Sequence, residues 1–207
     1  MPAVAWYPGQ RLCVDFVGPW PDAKGGERYI LTVLDTFSRW LEAFQTKTNT
    51  AAEVVYVLTD EVFIRYGLPE RIHSDEGSHF TAEVMSQLAK DLKVHWELGP
   101  AYLPKSNNVE SHHRALNALI GKLAPSAREW KSVLKTAVFI HNMSICRSTG
   151  MAPYNLLFGR DATTSLDLLF RDPHQAMESR HPDPDSVRER ILRAAEWALK
   201  NLSKTVP

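Results

Sequence analysis

The run Arg11 to Val17 most constrains what this chain can become. Leu12, Val14 and Phe16 alternate there with Cys13, Asp15 and Val17, and that period of two makes a strand with two different faces. Two more strand-like stretches follow closely. Tyr29 to Leu34 is β-branched and apolar, and Trp40 to Phe44 is apolar again. Pro19, Pro21 and the Gly25-Gly26 pair supply the turn between the first two. With links this short, the three strands are read as an antiparallel meander.

The pattern then changes to helical spacing. Thr50-Ala51-Ala52-Glu53 reads as a capping box opening a helix to about Tyr66, with Val54, Leu58, Val62 and Tyr66 as its apolar stripe. Gly67 stops that helix and Pro69 prevents its resumption. A strand is predicted at Arg71 to Ser74, a helix at Ala82 to Leu92 and a fifth strand at Val94 to Leu98. Gly99, Pro100 and Pro104 then mark an irregular loop. From Ser106 onward, Val109, His112/His113, Leu116, Leu119/Ile120 and Leu123 recur at three and four residues, and Glu110 lies one step from that stripe. Ser126-Ala127-Arg128-Glu129 predicts a helix through about Met143. Ser186-Val187-Arg188-Glu189 predicts another to about Leu202, after a Pro-rich linker from Asp172 to Asp185. The reading is an α/β chain of order βββαβαβ followed by helices. It has a leader at 1–7, one domain at 8–170, and a linker and C-terminal helix at 171–207.

Composition excludes several classes. A hydrophobic fraction of 44% and a charged fraction of 23% argue against disorder and rods. No apolar stretch approaches the roughly 18 residues of a membrane span, and the start lacks the basic and apolar regions of a signal peptide. Cys13 and Cys146 form neither a disulfide framework nor a Cys-x-x-Cys pair, so an intracellular, reduced chain is expected. The eight histidines show no zinc-binding pattern. Net charge is zero, but residues 1–110 hold 10 Lys/Arg against 15 Asp/Glu, whereas residues 111–160 hold 7 against the single acid Glu129. The set Lys105, Arg114, Lys122, Arg128, Lys131 and Lys135 is therefore either a phosphate-contacting surface or a solvated helical face.

Three acids stand out by position: Asp15 within the first strand, Asp75 after the fourth, and Glu110 at the start of a helix. A carboxylate amid apolar neighbours is costly unless a cation or donor meets it, which makes Asp15 the hardest to dismiss. Hard divalent ions prefer carboxylate oxygens. Two such ions about 4 Å apart activate a nucleophile and stabilise the leaving oxygen of a phosphodiester.

Five segments carry a resemblance. Asp15-Phe16, Asp35-Thr36-Phe37-Ser38-Arg39-Trp40, Ser74-Asp75-Glu76-Gly77-Ser78-His79-Phe80, Ala101-Tyr102 to Val109-Glu110, and His141-Asn142 with Ser148 to Arg160 resemble, in order, retroviral and long-terminal-repeat retrotransposon integrase cores of the gammaretroviral or Gypsy type. The resemblance covers roughly residues 8 to 165. It implies an RNase H-like fold, with a five-stranded mixed sheet flanked by helices. It also implies a metal-binding catalytic triad of Asp15, Asp75 and Glu110, two Mg²⁺ or Mn²⁺ ions in an active enzyme and no zinc, and strand transfer on DNA ends. Lys105, His113, Arg114 and Lys122 would be the residues meeting nucleic acid. A homodimer is expected, to which Trp130, Leu134, Val138 and Phe139 would contribute a surface unless they simply fill the core, and so is a nuclear location if the target is chromosomal DNA. Asp35 is read as a turn former.

This sequence departs from the family at two places. Asp75 and Glu110 enclose 34 residues, one fewer than the family pattern, and the shortening falls at Lys105-Ser106-Asn107-Asn108, where relatives carry Gln-Ser-Ser-Gly-Gln. Where relatives commonly have Asn, this chain has His113 after His112. These are read as a partly exposed pair doing little, the alternative being that His113 touches phosphate or pairs with Glu110. The zinc-binding and small β-barrel domains of complete integrases are not expected here. A core fragment and a host gene derived from such an element, catalytically silent and retained for dimerisation or nucleic-acid binding, both fit.

Overall fold

The period-two run forms β1, Arg11–Val17, and the stretches after it form β2, Tyr29–Asp35, and β3, Leu41–Thr46. Both successive pairs are antiparallel, with Asp15 opposite Thr32 and Leu34 opposite Leu41, so the meander is present as read. The computed structural model describes residues 5–23, 25–75, 80, 83–99, 109–165 and 167, and the isolated positions 189, 192, 193, 196 and 200. Lys105, most of the loop before Val109, and the linker and helix expected after 171 therefore lie wholly or largely outside the described residues.

β4, Arg71–Ser74, and β5, His95–Leu98, join the opposite edge in parallel, giving the order β3-β2-β1-β4-β5. Helical segments precede β4 and separate it from β5, as parallel neighbours require. The first begins as α1, Ala51–Tyr56, passes through a π-helical stretch, Val57–Phe63, and ends as α2, Ile64–Tyr66. One unbroken α-helix was the expectation here. The Thr59 hydroxyl, donating back to the Val55 carbonyl at 2.9 Å, competes with the helical ladder inside the widened segment. Gly67 ends the helix with φ 82, in the region glycine favours. α3 is Glu83–Leu92.

The capping-box readings at Thr50 and Ser126 are corrected in detail. Thr50 occupies the N-cap position, but its hydroxyl pairs with Thr48 at 3.1 Å instead of capping the backbone. Ser126 donates to the Glu129 carboxylate at 3.0 Å, and a 3-10 turn, Ala127–Glu129, precedes the helix. Side chains bonded to each other leave no oxygen directed at the free amides.

Two cores sandwich the sheet. Leu12, Val14, Leu31, Val33 and Ile72 pack on Val54, Leu58, Val62 and Met85 from the first helices. On the other face, Cys13, Ile30, Leu34 and Leu41 pack on Leu116 and Ile120 of α4, Val109–Leu123, and on Trp130 and Leu134 of α5, Trp130–Met143. Trp130 and Leu134 thus fill their own subunit's core. Of the dimer surface read from the sequence, Val138 is half-buried and Phe139 is exposed at 46%. α6, Pro153–Phe158, stacks Tyr154 and Phe158 on Trp40, ring centroids 5.9 and 5.3 Å away. Two of the resemblance segments therefore meet as packing partners.

Candidate metal centre

Strand register sets the first two acids side by side. Val14 is aligned with Ser74 across the parallel β1–β4 pair, so Asp15 and Asp75 follow as lateral neighbours on strands roughly 4.8 Å apart. Alternation turns Asp15 to the same face as Cys13, the face covered by α4 and α5. Its side chain is 35% exposed and, among the described residues, accepts one hydrogen bond, from the Phe16 amide at 2.7 Å. Burial pushes the Asp15 carboxyl up to about 6. The neighbouring Asp75 charge adds to that shift, and the Phe16 amide opposes it. Two neighbouring carboxyls offer the hard oxygens that a divalent ion prefers.

α4 closes this site from above. His113 is only 13% exposed, and its Nδ1 lies 3.7 Å from Asp15 Oδ2. Its Nε2 lies 2.8 Å from the hydroxyl of Thr32, which itself donates to the Asp15 carbonyl at 2.9 Å. Burial holds the His113 imidazole down at about 4, so the ring is neutral near pH 7. The expected partial exposure of His112 and His113 is thereby corrected. Both rings point inward, because α4 lies flat on the sheet and buries two adjacent positions of its stripe. His112 packs edge-on against His141, ring centroids 5.2 Å apart, with nitrogens at 3.3 Å.

Glu110 occupies the first turn of α4. Its side chain is 74% exposed, and Arg114 lies one turn on, Nη2 to Oε1 at 3.6 Å. Among the described residues, no three His, Cys, Asp or Glu side chains converge to hold an ion. The strand register places Asp15 beside Asp75, His113 faces Asp15 at 3.7 Å, and Glu110 lies in the first turn of α4, where its charge acts on His113.

The remaining cations are mixed in character. Arg114 and Lys122 are exposed along α4, and Lys105 lies outside the described residues. Lys131 is paired with Glu27 at 2.7 Å. It lines a cleft of about 700 Å³ with Arg128 and Lys135, and also with the acids Asp22 and Glu129. That cleft is a mixed surface, not a basic one.

Asp35, by contrast, is closed off. It accepts from the amides of Gly9, Phe37 and Ser38 at 3.2, 3.4 and 3.0 Å and from the Ser38 hydroxyl, forming the turn read from the sequence.

With this geometry in place, comparison with known proteins identifies the lineage. Residues 7–104 match the family described as integrase core domain. The chain carries an integrase core domain. It is 38% identical over 154 residues to the Gag-Pol polyprotein of avian reticuloendotheliosis virus, covering 73% of this chain and 13% of that protein. Similarity to the Pol polyprotein of radiation murine leukemia virus is 34% over 182 residues, covering 84% of this chain and 30% of the relative. The chain therefore spans less than a third of the length of these relatives.

Solved structures share the fold. The simian T-cell lymphotropic virus intasome in complex with PP2A regulatory subunit B56 gamma aligns with a TM-score of 0.62 and 18% identity, over 77% of this chain and 58% of that one. The catalytic core of BIV integrase gives 0.59 and 23% identity, over 73% and 95%. The HTLV-2 integrase catalytic core in complex with magnesium gives 0.58 and 15%, over 73% and 97%. The integrase core thus has the RNase H-like fold.

For a divalent ion, the donor chemistry of this integrase core fits. Asp15 and Asp75 offer hard oxygens, and among the described residues the basic group within ion-pair distance of Asp15 is His113, charged only if protonated. Sequence reasoning missed Thr32. The available signal was a hydroxyl set within the apolar run Ile30 to Leu34, on the face that carries Ile30 and Leu34.

Proposed function

We propose that this integrase core is a metal-dependent polynucleotidyl transferase acting on DNA ends, with Asp15 and Asp75 as the strand-borne metal carboxylates and Glu110 as the third acid. The observation that carries this reading is the lateral register of Asp15 and Asp75, which leaves one desolvated carboxyl beside another. Bound divalent ions would supply the charge that activates a water or a 3′-hydroxyl and stabilises the leaving oxygen.

The protein's part is positional. Asp15 is held within β1 by its pairing with β2, Asp75 directly follows β4, and Thr32 bonds the Asp15 backbone and the His113 ring. Arg114, Lys122 and Lys105 would meet phosphates, and His113, facing the first acid, would border the scissile group. A DNA partner, a homodimer using the exposed Phe139 region, and a nuclear site of action belong to the same proposal.

The test is strand transfer and disintegration with oligonucleotide DNA ends in Mg²⁺ or Mn²⁺. Metal-dependent products that fall at least about a hundredfold in Asp75→Asn support the enzyme. The exposed position of Glu110 beside Arg114 favours a second reading, a catalytically silent core retained for dimerisation or nucleic-acid binding. DNA binding without products in either metal would support that one.

A further inference from the structure

Between the first turns of α4 and the end of α5 lies a cleft of about 500 Å³, within the size range of small-molecule and cofactor sites. The His112 and His141 imidazoles and Ala115 line it from the helices, and Ile145, Cys146 and Arg147 line it from the segment after α5. That segment carries hydrogen bonds of its own. The Cys146 amide donates to the Met151 carbonyl at 3.0 Å and the Gly150 amide to the Cys146 carbonyl at 2.7 Å, so this wall is formed before anything binds.

The cleft divides by charge. Burial holds His112 down at about 3 and His141 at about 4, so both rings are neutral near pH 7. Among the described residues, the hydrogen-bond contact of the His112 ring is Nδ1 to His141 Nε2 at 3.3 Å. His112 is 6% exposed, and its Nε2 is the polar edge left for a ligand. At the rim, Arg147 is exposed and has no acidic partner among the described residues.

An inorganic anion would leave the neutral rings and the apolar wall unused, and a hydrocarbon would leave His112 Nε2 and Arg147 unmet. A nucleotide uses both, because it joins a neutral planar base with polar edges to a phosphate. Aromatic side chains, histidine included, stack unpaired bases, and exposed arginine meets phosphate. Ser111, which also lines the cleft, directly follows Glu110.

We propose that this cleft binds the base of an unpaired nucleotide in a DNA strand, with Arg147 on its phosphate. The inference rests on the DNA reading above and adds to it a base-binding site beside the first turn of α4.

The experiment uses the full chain, with a single-stranded oligodeoxyadenylate and an abasic strand of equal length as probes. Cys146 reports on the cleft. The other cysteine, Cys13, is 2% exposed with its thiol pushed up to about 12, so N-ethylmaleimide labels Cys146 in the native fold. Mass spectrometry follows labelling, and fluorescence anisotropy follows binding. The oligodeoxyadenylate should bind at least about tenfold tighter than the abasic strand. It should also slow Cys146 labelling, whereas the abasic strand at equal occupancy should leave it fast. Ala115→Trp, at an exposed position of α4, fills the cleft and should remove the preference, while Arg147→Gln should weaken both strands alike and keep it. Equal affinity for the two strands, or a preference that survives Ala115→Trp, overturns the base site and leaves DNA binding standing. Absence of binding by either strand also overturns it, and strand transfer on duplex ends, measured on the same protein, decides the DNA reading separately.

Discussion

The two ends of β1 carry polar groups in opposite conditions. At the closed end, Asp35 is 4% exposed and accepts four hydrogen bonds, while Asn142 both accepts from and donates to the Leu41 backbone at 2.9 Å. At the open end, Asp15 sits beside Asp75 with one amide donor among the described residues, facing the His113 imidazole at 3.7 Å. A carboxylate satisfied on all sides holds a turn together, whereas one left under-served is arranged for something that arrives later. Both are aspartates in family-resembling segments, so residue type alone does not separate them.

The largest contrast is between substitutions at these two acids. Asp35→Ala strands four donors in a buried turn and should lower unfolding free energy by about 3–5 kcal/mol. Asp15→Asn should leave it within about 1 kcal/mol of native, or raise it, by removing a desolvated charge. Urea unfolding of both checks this, and equal losses would break the comparison.

Acid should open the closed end next. Burial holds His141 down at about 4 and His112 at about 3, the latter with help from the His141 and Arg39 charges. A depressed histidine contributes stability that is present above its unfolded value near 6.5 and lost as pH falls through its folded one. Roughly 2–4 kcal/mol should therefore disappear between pH 6.5 and about 3. Asp15 has the opposite sign. Its raised carboxyl contributes stability below about 4 that is lost as pH rises through about 6, so Asp15→Asn should gain about 1 kcal/mol on native above pH 6 after solvent screening. Melting curves across pH would show both slopes.

A smaller loss, about 2 kcal/mol, is expected for Asn142→Ala, which removes both bonds to Leu41. Smallest are the exposed charges. Glu110→Gln should shift stability by less than about 0.5 kcal/mol, so that any effect it has on metal or DNA chemistry is separable from folding.

Much of this was legible in the sequence. Period two marked β1, and β4 was read as a short strand, each with the bounds it has; short links gave the antiparallel meander, and the resemblance implied the mixed sheet. The neighbouring placement of Asp15 and Asp75 follows from that topology. The π-helical stretch was not legible, because Val54, Leu58 and Val62, four residues apart, are buried through it as an α-helix would bury them, although Tyr66 at the end of that stripe is exposed. Nor were the inward-turned His112 and His113. A period of 3.6 leaves two adjacent residues at the edge of a stripe ambiguous, and only the docking of α4 on Thr32 and His141 decides them. The segment Ser148 to Arg160 was recognisable, yet its visible work is to pack aromatic rings on Trp40.

Calorimetric titration of Mn²⁺ near pH 7.5 into the native chain, Asp15→Asn and Asp75→Asn tests most directly whether the under-served end of the sheet is built to hold an ion. Saturable binding in the native chain, weakened at least about tenfold in each variant, is the predicted result. Native-like binding in both variants, or none in the native chain, would contradict it.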